Sequence, residues 1–229
     1  MEAIILAGGF GTRLSHVISD VPKPMAPVNN RPFLEYILDY LLEYNFNKII
    51  LAVGYKNEVI KEYFQNSYKG ISIIYSTEDT PLGTGGAIKK GMEYCNDNDI
   101  FILNGDTFFD VNLFDMSQFH KNNKSTLTIA VKTMVNYDRY GSVIVENERI
   151  VEFREKMKTG KGKINGGIYL VNKNIFNTIP NISFYISFSF EEKILESSKH
   201  DIFAFESNGY FIDIGIPEDY YKAQKDFLK

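Results

Sequence analysis

The sequence predicts an α/β fold in which helices flank a Rossmann-like, mostly parallel mixed sheet. Short apolar runs at residues 3–7 and 100–103 are typical of strands buried on both faces of a parallel sheet. Segments with apolar residues at helical spacing alternate with such runs in the first half of the chain. Glycine-rich turns at residues 8–11 and 83–86 join strands to helices, which indicates a ligand cleft at the carboxyl edge of the sheet.

Composition and charge restrict the class of protein. Of the 229 residues, 44% are hydrophobic and 24% are charged, so we expect one soluble domain spanning residues 1–229. A net charge of −4 offers no basic surface for nucleic acid, which we do not expect as a partner. Cys95 is the only cysteine, and no apolar run reaches the length of a membrane span. We therefore expect a cytoplasmic protein that does not bind membranes.

The first glycine loop, LAGGFGTRL, has the features of a phosphate-binding turn. Gly8, Gly9 and Gly11 follow the first strand and let backbone N–H groups approach an anion that a Cβ atom would obstruct. Arg13 adds a permanent positive charge, and Lys23 adds another between two prolines that stiffen the backbone. Two cations near one glycine loop indicate a polyphosphate ligand.

Two better-known glycine motifs do not match this loop. The dinucleotide motif GxGxxG would need a glycine where Leu14 stands. The Walker A motif needs Gly-Lys followed by Ser or Thr, which occurs nowhere in the chain. A turn that merely joins a strand to a helix is the other interpretation, and the presence of Arg13 and Lys23 favours the binding function.

Strands and helices alternate along the first half of the chain. An apolar face formed by Leu34, Ile37, Leu38 and Leu41 predicts a helix that begins after Pro32. We then predict a strand at 48–53, a helix at 59–64, a strand at 71–75, a second glycine loop at 80–87 that opens a helix, and a strand at 100–104.

Two aspartates follow apolar strands. Asp106 comes after the strand at 100–104, so its carboxylate is expected in the same cleft as the glycine loops. Asp213 has a similar setting late in the chain. Since Mg²⁺ binds one or two carboxylates together with phosphate oxygens, Asp106 is a candidate ligand that needs one partner elsewhere. The other interpretation of each aspartate is a capping or solvated turn residue.

The pattern changes in the second half of the chain. We predict strands at 126–132, 142–145 and 149–153, the last two forming a hairpin, and helices at 190–198 and 217–228. Residues 156–163 carry four lysines, and charge alone predicts a solvated loop there. His16, His120 and His200 show no ligand spacing and are expected at the surface.

The motif LAGGFGTRL, followed by PKPM and a helix start Pro-Phe-Leu-Glu, resembles the sugar-1-phosphate nucleotidyltransferase family. Within that family, residues 15–36 are most similar to the D-glycero-D-manno-heptose 1-phosphate guanylyltransferases. The resemblance implies a GT-A-like nucleotidyltransferase fold with an inserted β-hairpin region for sugar binding. Residues 1–110 would bind the nucleotide and residues 111–229 the sugar phosphate. The ligands would be GTP, a heptose 1-phosphate and Mg²⁺.

The resemblance also assigns site residues. Arg13, Lys23 and Asp106 would be catalytic, and Asp106 and Asp213 would bind the metal. The nucleotide would be bound by Leu6, Ala7, Gly8, Gly9, Gly11, Thr12, Gly83, Thr84 and Gly85, the last three through backbone contacts to the base. The sugar phosphate would be bound by Tyr140, Gly141, Glu155, Lys156, Asn165 and Gly166.

The expected reaction is in-line attack of the sugar phosphate on the α-phosphorus of the NTP, giving an NDP-sugar for surface polysaccharide synthesis. Because the nucleophile is already an anion at neutral pH, no general base is needed. Alternatives are a mannose- or glucose-1-phosphate nucleotidyltransferase with another base, and a non-catalytic NDP-sugar sensor. A glycosyltransferase would need Asp-x-Asp, whereas Phe108 stands at the second position. The 15 Tyr and 18 Phe are compatible with a homodimer.

Overall fold

The computed structural model describes residues 1–9, 14, 17–18, 20–138, 140–154, 159–178, 187–195 and 201–228. The strands in this part of the chain are β1 Glu2–Leu6, β2 Pro27–Val28, β3 Arg31–Pro32, β4 Lys48–Val53, β5 Ser67–Tyr68, β6 Ile71–Thr77, β7 Asp99–Asn104, β8 Thr107–Phe109, β9 Leu127–Tyr137, β10 Ser142–Glu146, β11 Arg149–Arg154, β12 Thr159–Asn172, β13 Ile202–Glu206 and β14 Phe211–Asp213. The α-helices are α1 Phe33–Leu42, α2 Asn57–Phe64, α3 Gly83–Met92, α4 Leu113–Asn122 and α5 Pro217–Asp226. Two 3₁₀-helices, Lys23–Met25 and Lys173–Thr178, and a π-helix, Glu191–Leu195, complete the elements.

Ten of these strands form one mixed sheet in the order β10-β11-β13-β9-β12-β7-β1-β4-β6-β5. The four strands β7, β1, β4 and β6 run parallel, with Ile4 of β1 opposite Ile50 on one side and Ile102 on the other. Towards the other edge the pairings are antiparallel, apart from the parallel pair of β9 and β13. The mixed α/β fold is therefore confirmed. The two glycine loops follow two of its parallel strands, β1 and β6.

Hydrophobic cores lie on both faces of the sheet. Along β1, Ala3 and Ile5 belong to one cluster and Ile4 to the other, as alternation of side chains in a strand requires. The first cluster contains buried residues of α1, α2, α4 and α5, and the second contains buried residues of α3 and of the π-helix. The sheet thus forms the middle of three layers, which explains its continuous apolar runs.

Helix α1 forms for the reasons that the sequence suggested. Pro32 occupies its N-cap, and Leu34, Ile37, Leu38 and Leu41 are all at most 1% exposed. The predicted hairpin is also present, since β10 and β11 pair antiparallel from Ser142 and Arg154 to Glu146 and Arg149.

Two predictions in the second half differ from the structure. Strand β12 begins at Thr159, so most of the lysine-rich segment pairs with β9 instead of forming a loop, with Lys161 opposite Val135 and Lys163 opposite Thr133. Tertiary pairing outweighs charge here because alternate side chains of a strand can point to solvent. Of the helix predicted at 190–198, the described residues 190–195 are helical, but Glu191–Leu195 form a π-helix; residues 196–198 lie outside the described residues.

The prediction of surface histidines is wrong for His120. This side chain is 2% exposed, and its Nδ1 lies 2.8 Å from Thr128 Oγ1. Burial lowers the pKa of His120, although the nearby Asp99 carboxylate opposes this shift. His16 and His200 lie outside the described residues.

The exposed aromatic residues concern the predicted homodimer, and the lengths of the helices concern the expectation that no segment spans a membrane. Among the described aromatic residues, five are exposed and the others are buried or half-buried; the exposed ones are Tyr55, Tyr63, Tyr94, Phe114 and Tyr221. Within the described residues, no helix combines the length and the apolar character needed to cross a bilayer.

Glu2 is a buried carboxylate at the start of β1. It is 5% exposed, forms an ion pair with Lys48 Nζ at 2.5 Å, and accepts the Asn96 and Asp97 N–H groups at 2.6 and 2.9 Å. Burial raises the pKa of Glu2, but these bonds outweigh that effect and leave the pKa below its ordinary value. The stability from this ionisation is present at neutral pH and is lost as the pH falls through the folded-state pKa.

We expect Glu2→Ala to lower the free energy of unfolding by about 3 kcal/mol, because it leaves an ammonium and two backbone N–H groups without their acceptor. Chemical denaturation at pH 7 measures this change. Asp201→Ala is the matched control, since its pair with Arg149 is exposed (69% and 50%), and it should cost less than about 0.5 kcal/mol. Equal losses in the two variants would contradict the prediction.

Candidate active site

Two cavities share a wall at the carboxyl edge of the parallel strands. The glycine-loop cavity has a volume of about 390 Å³ and is lined by residues of both glycine loops and by Asn104 at the end of β7. The hairpin cavity has a volume of about 480 Å³ and is lined by residues of β10, β11 and β12. Asn104 and Glu191 line both cavities. Ligands in the two cavities would therefore meet near these residues.

Most predicted site residues that the structure describes line one of these cavities. The glycine-loop cavity is lined by Leu6, Gly8, Gly9, Lys23, Gly83, Thr84 and Asp106. The hairpin cavity is lined by Tyr140, Gly141, Asn165, Gly166 and Asp213. Ala7 and Gly85 line neither, and Gly11, Thr12, Arg13, Glu155 and Lys156 lie outside the described residues.

Lys23 lines the glycine-loop cavity and lies between two prolines that restrict its backbone. Pro22 is the N-cap of the 3₁₀-helix Lys23–Met25 and has an extended backbone (φ −65°, ψ 151°), and Pro24 and Met25 are buried. The Lys23 side chain is 12% exposed, and its Nζ lies 2.7 Å from Asp106 Oδ2. The ammonium is therefore fixed in position and only weakly screened by solvent.

Strand pairing brings the two predicted metal ligands together. Strands β8 and β14 pair antiparallel with Asp213 opposite Thr107, and the Ile214 N–H donates to the Asp106 carbonyl oxygen at 3.0 Å. A Cβ atom placed on Gly215 would lie 2.7 Å from Asp213 Oδ1 and 3.1 Å from Lys23 Nζ. Both charged atoms thus face the same small space. Asp106, Asp213 and Lys23 form the charged junction, the name used below for these three residues.

Polar groups of the hairpin cavity are held by a second set of contacts. Asn165 donates from Nδ2 to the Tyr169 hydroxyl at 2.9 Å and accepts the Gly167 N–H at Oδ1 at 3.0 Å. Its strand shifts register against β9 between Asn165 and Tyr169, an irregularity of the kind common beside functional sites. Tyr140 packs edge-on against Phe211 with ring centroids 5.4 Å apart. The cavity therefore combines amide and hydroxyl groups with an aromatic wall, the kind of lining found in small-molecule sites.

Ala7 and Gly85, the two predicted residues that line neither cavity, form backbone hydrogen bonds to other segments of the chain. Ala7 is 1% exposed and donates its N–H to Ala52 O at 2.8 Å. Gly85 donates its N–H to Phe188 O at 3.0 Å, and a Cβ atom there would fall 2.1 Å from the Phe188 ring. Its backbone N–H is thus engaged by protein rather than directed to a ligand.

The sequence analysis missed several cavity residues, among them Glu78, Asn104 and Glu191. Glu78 directly follows β6, the same strand-end position that identified Asp106, so a signal for it existed. Burial raises the pKa of Glu78, while the Leu82 N–H bond to its Oε2 and the charge of Lys90 oppose the shift. Glu191 had no such signal, because it belongs to a π-helix remote in sequence from both loops.

The charged junction fits the donors that Mg²⁺ prefers. Asp106 and Asp213 supply hard carboxylate oxygens, and Asp106 is 31% exposed and therefore reachable. No cluster of three or more His, Cys, Asp or Glu side chains occurs in the described part of the chain. Two carboxylates completed by phosphate oxygens and water suit Mg²⁺ better than a metal that needs a cage made wholly of protein ligands.

The chain is similar over nearly its whole length to proteins of known family. Residues 2–229 match the family described as Nucleotidyl transferase. The chain is 50% identical over 228 residues to D-glycero-alpha-D-manno-heptose 1-phosphate guanylyltransferase of Aneurinibacillus thermoaerophilus, covering 99% of this chain and 98% of that protein. It is also 50% identical over 223 residues to the protein of the same name from Campylobacter jejuni, covering 96% and 97%.

Solved structures show the same fold. HddC from Yersinia pseudotuberculosis, complexed with GMP-PN, has a TM-score of 0.88 and 36% identity, with 99% of each chain covered. UDP-glucose pyrophosphorylase complexed with UDP-glucose has a TM-score of 0.81, with 99% and 97% covered, and at 18% identity this likeness concerns the fold alone.

Proposed function

Since the chain belongs to the nucleotidyl transferase family, we propose that it transfers GMP from GTP to D-glycero-α-D-manno-heptose 1-phosphate and releases pyrophosphate. The observation that carries this proposal is the charged junction where the glycine-loop cavity meets the hairpin cavity. Full-length 50% identity to two proteins named as heptose 1-phosphate guanylyltransferases supports the choice of both substrates. The product would be a GDP-heptose for surface polysaccharide synthesis.

The reaction needs alignment and charge balance more than proton transfer. An oxygen of the sugar phosphate attacks the α-phosphorus of GTP, a new O–P bond forms, and the bond to the β-phosphate breaks as its electron pair leaves with pyrophosphate. The nucleophile is an anion at neutral pH, so no base has to remove a proton. Lys23 lies where both substrates would bring negative charge, and its ammonium would stabilise the charge that develops on the α-phosphate.

Two further cations and a metal ion belong to the proposal. Asp106 and Asp213 would hold Mg²⁺, which when bound offsets negative charge on the phosphate groups. Arg13 would bind the β- and γ-phosphates, and Lys156 would reduce the repulsion between the two anionic substrates. Backbone groups of Gly8 and Gly9 line the glycine-loop cavity, which supports a phosphate cradle there.

Glu78 provides a basis for the choice of guanine. It lines the glycine-loop cavity, and its Oε2 accepts the Leu82 N–H at 2.9 Å. A carboxylate is an acceptor only, and the Watson–Crick edge of guanine offers two adjacent donors, the N1–H and the 2-amino group. A partly buried carboxylate gains from such donors because burial has removed part of its hydration. We assign to Glu78 the recognition of this edge.

The same proposal includes a cytoplasmic homodimer. A lone, buried Cys95 is compatible with a reducing compartment. Five exposed aromatic side chains are of the type enriched at subunit interfaces. Light scattering at micromolar concentration would test the dimer.

Pyrophosphate release on mixing the protein with GTP, heptose 1-phosphate and Mg²⁺ tests the function. We expect turnover with this pair and much less with ATP, UTP or CTP, or with glucose 1-phosphate. Binding of GDP-heptose without turnover would instead identify a sensor. Equal turnover with each of the four nucleotides would contradict the assignment of guanine.

Lys23→Ala should lower kcat by about 100-fold, since losing a fixed cation at the charge that develops costs on the order of 3 kcal/mol. The variant should still fold, because the Asp106 carboxylate that loses its ion-pair partner is 31% exposed and can be hydrated. Steady-state kinetics together with a thermal denaturation curve measure both effects. Lys69→Ala is the matched control, as Lys69 forms a similar 2.6 Å pair with Asp39 outside the lining of both cavities. An unchanged kcat in Lys23→Ala would remove this residue from the mechanism.

Glu78→Gln should raise KM for GTP by about tenfold, because an amide replaces one acceptor with a donor. The ionised carboxylate of the wild type accepts from guanine, so its KM for GTP should rise as the pH falls through the raised pKa of Glu78, and this rise should be absent in the variant. Glu93→Gln, an exposed position after α3, serves as the control. Unaltered GTP kinetics in Glu78→Gln would show that the base is recognised elsewhere.

A further inference from the structure

We propose that Glu191 binds a hydroxyl group of the acceptor sugar with one carboxylate oxygen while the other holds the second glycine loop in place. Glu191 would thereby be a positioning residue that ties the nucleotide subsite to the sugar subsite. This inference rests on the proposed function and names a residue that neither the glycine motifs nor the aspartates indicated.

The position of Glu191 makes it a candidate for contact with both substrates. It lines the glycine-loop cavity and the hairpin cavity, and Asn104 is the other described residue that does so. Glu191 begins the π-helix Glu191–Leu195. Single π-turns are rare and occur frequently at functional sites, since they redirect side chains away from helical positions.

One oxygen of Glu191 is already engaged by protein. Oε2 accepts from Thr84 Oγ1 at 2.6 Å and from Ser189 Oγ at 2.9 Å. Thr84 Oγ1 in turn accepts the Phe190 N–H at 2.8 Å. Leu82 O also accepts the Phe188 N–H at 3.0 Å. The second glycine loop and the segment before the π-helix are therefore fastened to each other beside the glycine-loop cavity.

The second oxygen, Oε1, makes no hydrogen bond to the described part of the chain. An ionised carboxylate has acceptor capacity for several donors, so Oε1 keeps capacity for a ligand. Phosphate groups would be repelled by this charge, which leaves hydroxyl or amino donors as the groups that Glu191 can bind. A sugar 1-phosphate brings several hydroxyl groups into the hairpin cavity.

The surroundings in the hairpin cavity agree with a hydroxyl ligand. Tyr169 lines the hairpin cavity and is almost fully buried. Burial raises the pKa of its phenol, and the negative charge of Glu191 raises it further. Tyr169 therefore stays neutral and accepts the Asn165 amide at 2.9 Å. Asn165 and Tyr169 are thus neutral hydrogen-bonding groups in the same cavity as the Glu191 carboxylate, a combination suited to the hydroxyl groups of a sugar.

A purely structural clamp is the competing explanation, and substitutions within the chain separate the two. Glu191→Gln alters the oxygen offered to the sugar. Thr84→Val instead removes the hydroxyl that bonds to Glu191 and to the Phe190 N–H, and Thr84 does not line the hairpin cavity. Steady-state kinetics would be measured with GTP and heptose 1-phosphate, and with analogues that each lack one hydroxyl group.

We expect Glu191→Gln to raise KM for the sugar phosphate about tenfold and KM for GTP less than about threefold, with Thr84→Val showing the opposite pattern. For one analogue, the wild type and Glu191→Gln should have the same KM, because the hydroxyl that Glu191 binds is already missing. The inference would be overturned if both variants changed the two KM values in the same way. It would also be overturned if Glu191→Gln had a higher KM than the wild type with every analogue. Failure of the wild type to release pyrophosphate would instead refute the proposed function.

Discussion

The antiparallel pairing of β8 with β14 is the constraint on which the active site depends. It sets Asp213 opposite Thr107, and the Ile214 N–H fixes the end of β14 to the Asp106 carbonyl oxygen at 3.0 Å. A slip of one residue would turn every side chain of β14 to the other face and remove Asp213 from the junction. A short two-stranded ladder thus determines the approach of two carboxylates that lie far apart in the chain.

Close backbone packing at the strand ends allows the rest of the cleft to form. The Gly105 N–H donates to Leu6 O at 3.0 Å, and a Cβ atom on Gly105 would fall 2.6 Å from that same oxygen. Glycine is therefore required for β1 and β7 to end so near each other. The first glycine loop and Asp106 follow directly from those two ends, which is why they border one cavity.

Charge then decides what the cleft can hold. Lys23 is paired with Asp106, and Asp213 and Glu191 bring further negative charge to the boundary between the cavities. Two phosphorylated substrates would add more negative charge than one lysine can balance at short range. In the proposed reaction, Mg²⁺ and the predicted cations Arg13 and Lys156 would supply the remaining positive charge, and Glu78 and Glu191 would accept from amino and hydroxyl donors.

Local sequence patterns determined the parts of this protein that depend on neighbouring residues. The apolar face from Leu34 to Leu41, the buried parallel strands and the strand-end position of Asp106 are all confirmed as structure, because helix and strand periodicity act over a few residues. Tertiary structure alone decided the length of β12, the burial of His120, and the position of Glu191 at the boundary of the two cavities. Those features depend on the register between strands distant in sequence and on the packing between layers, which no local pattern encodes.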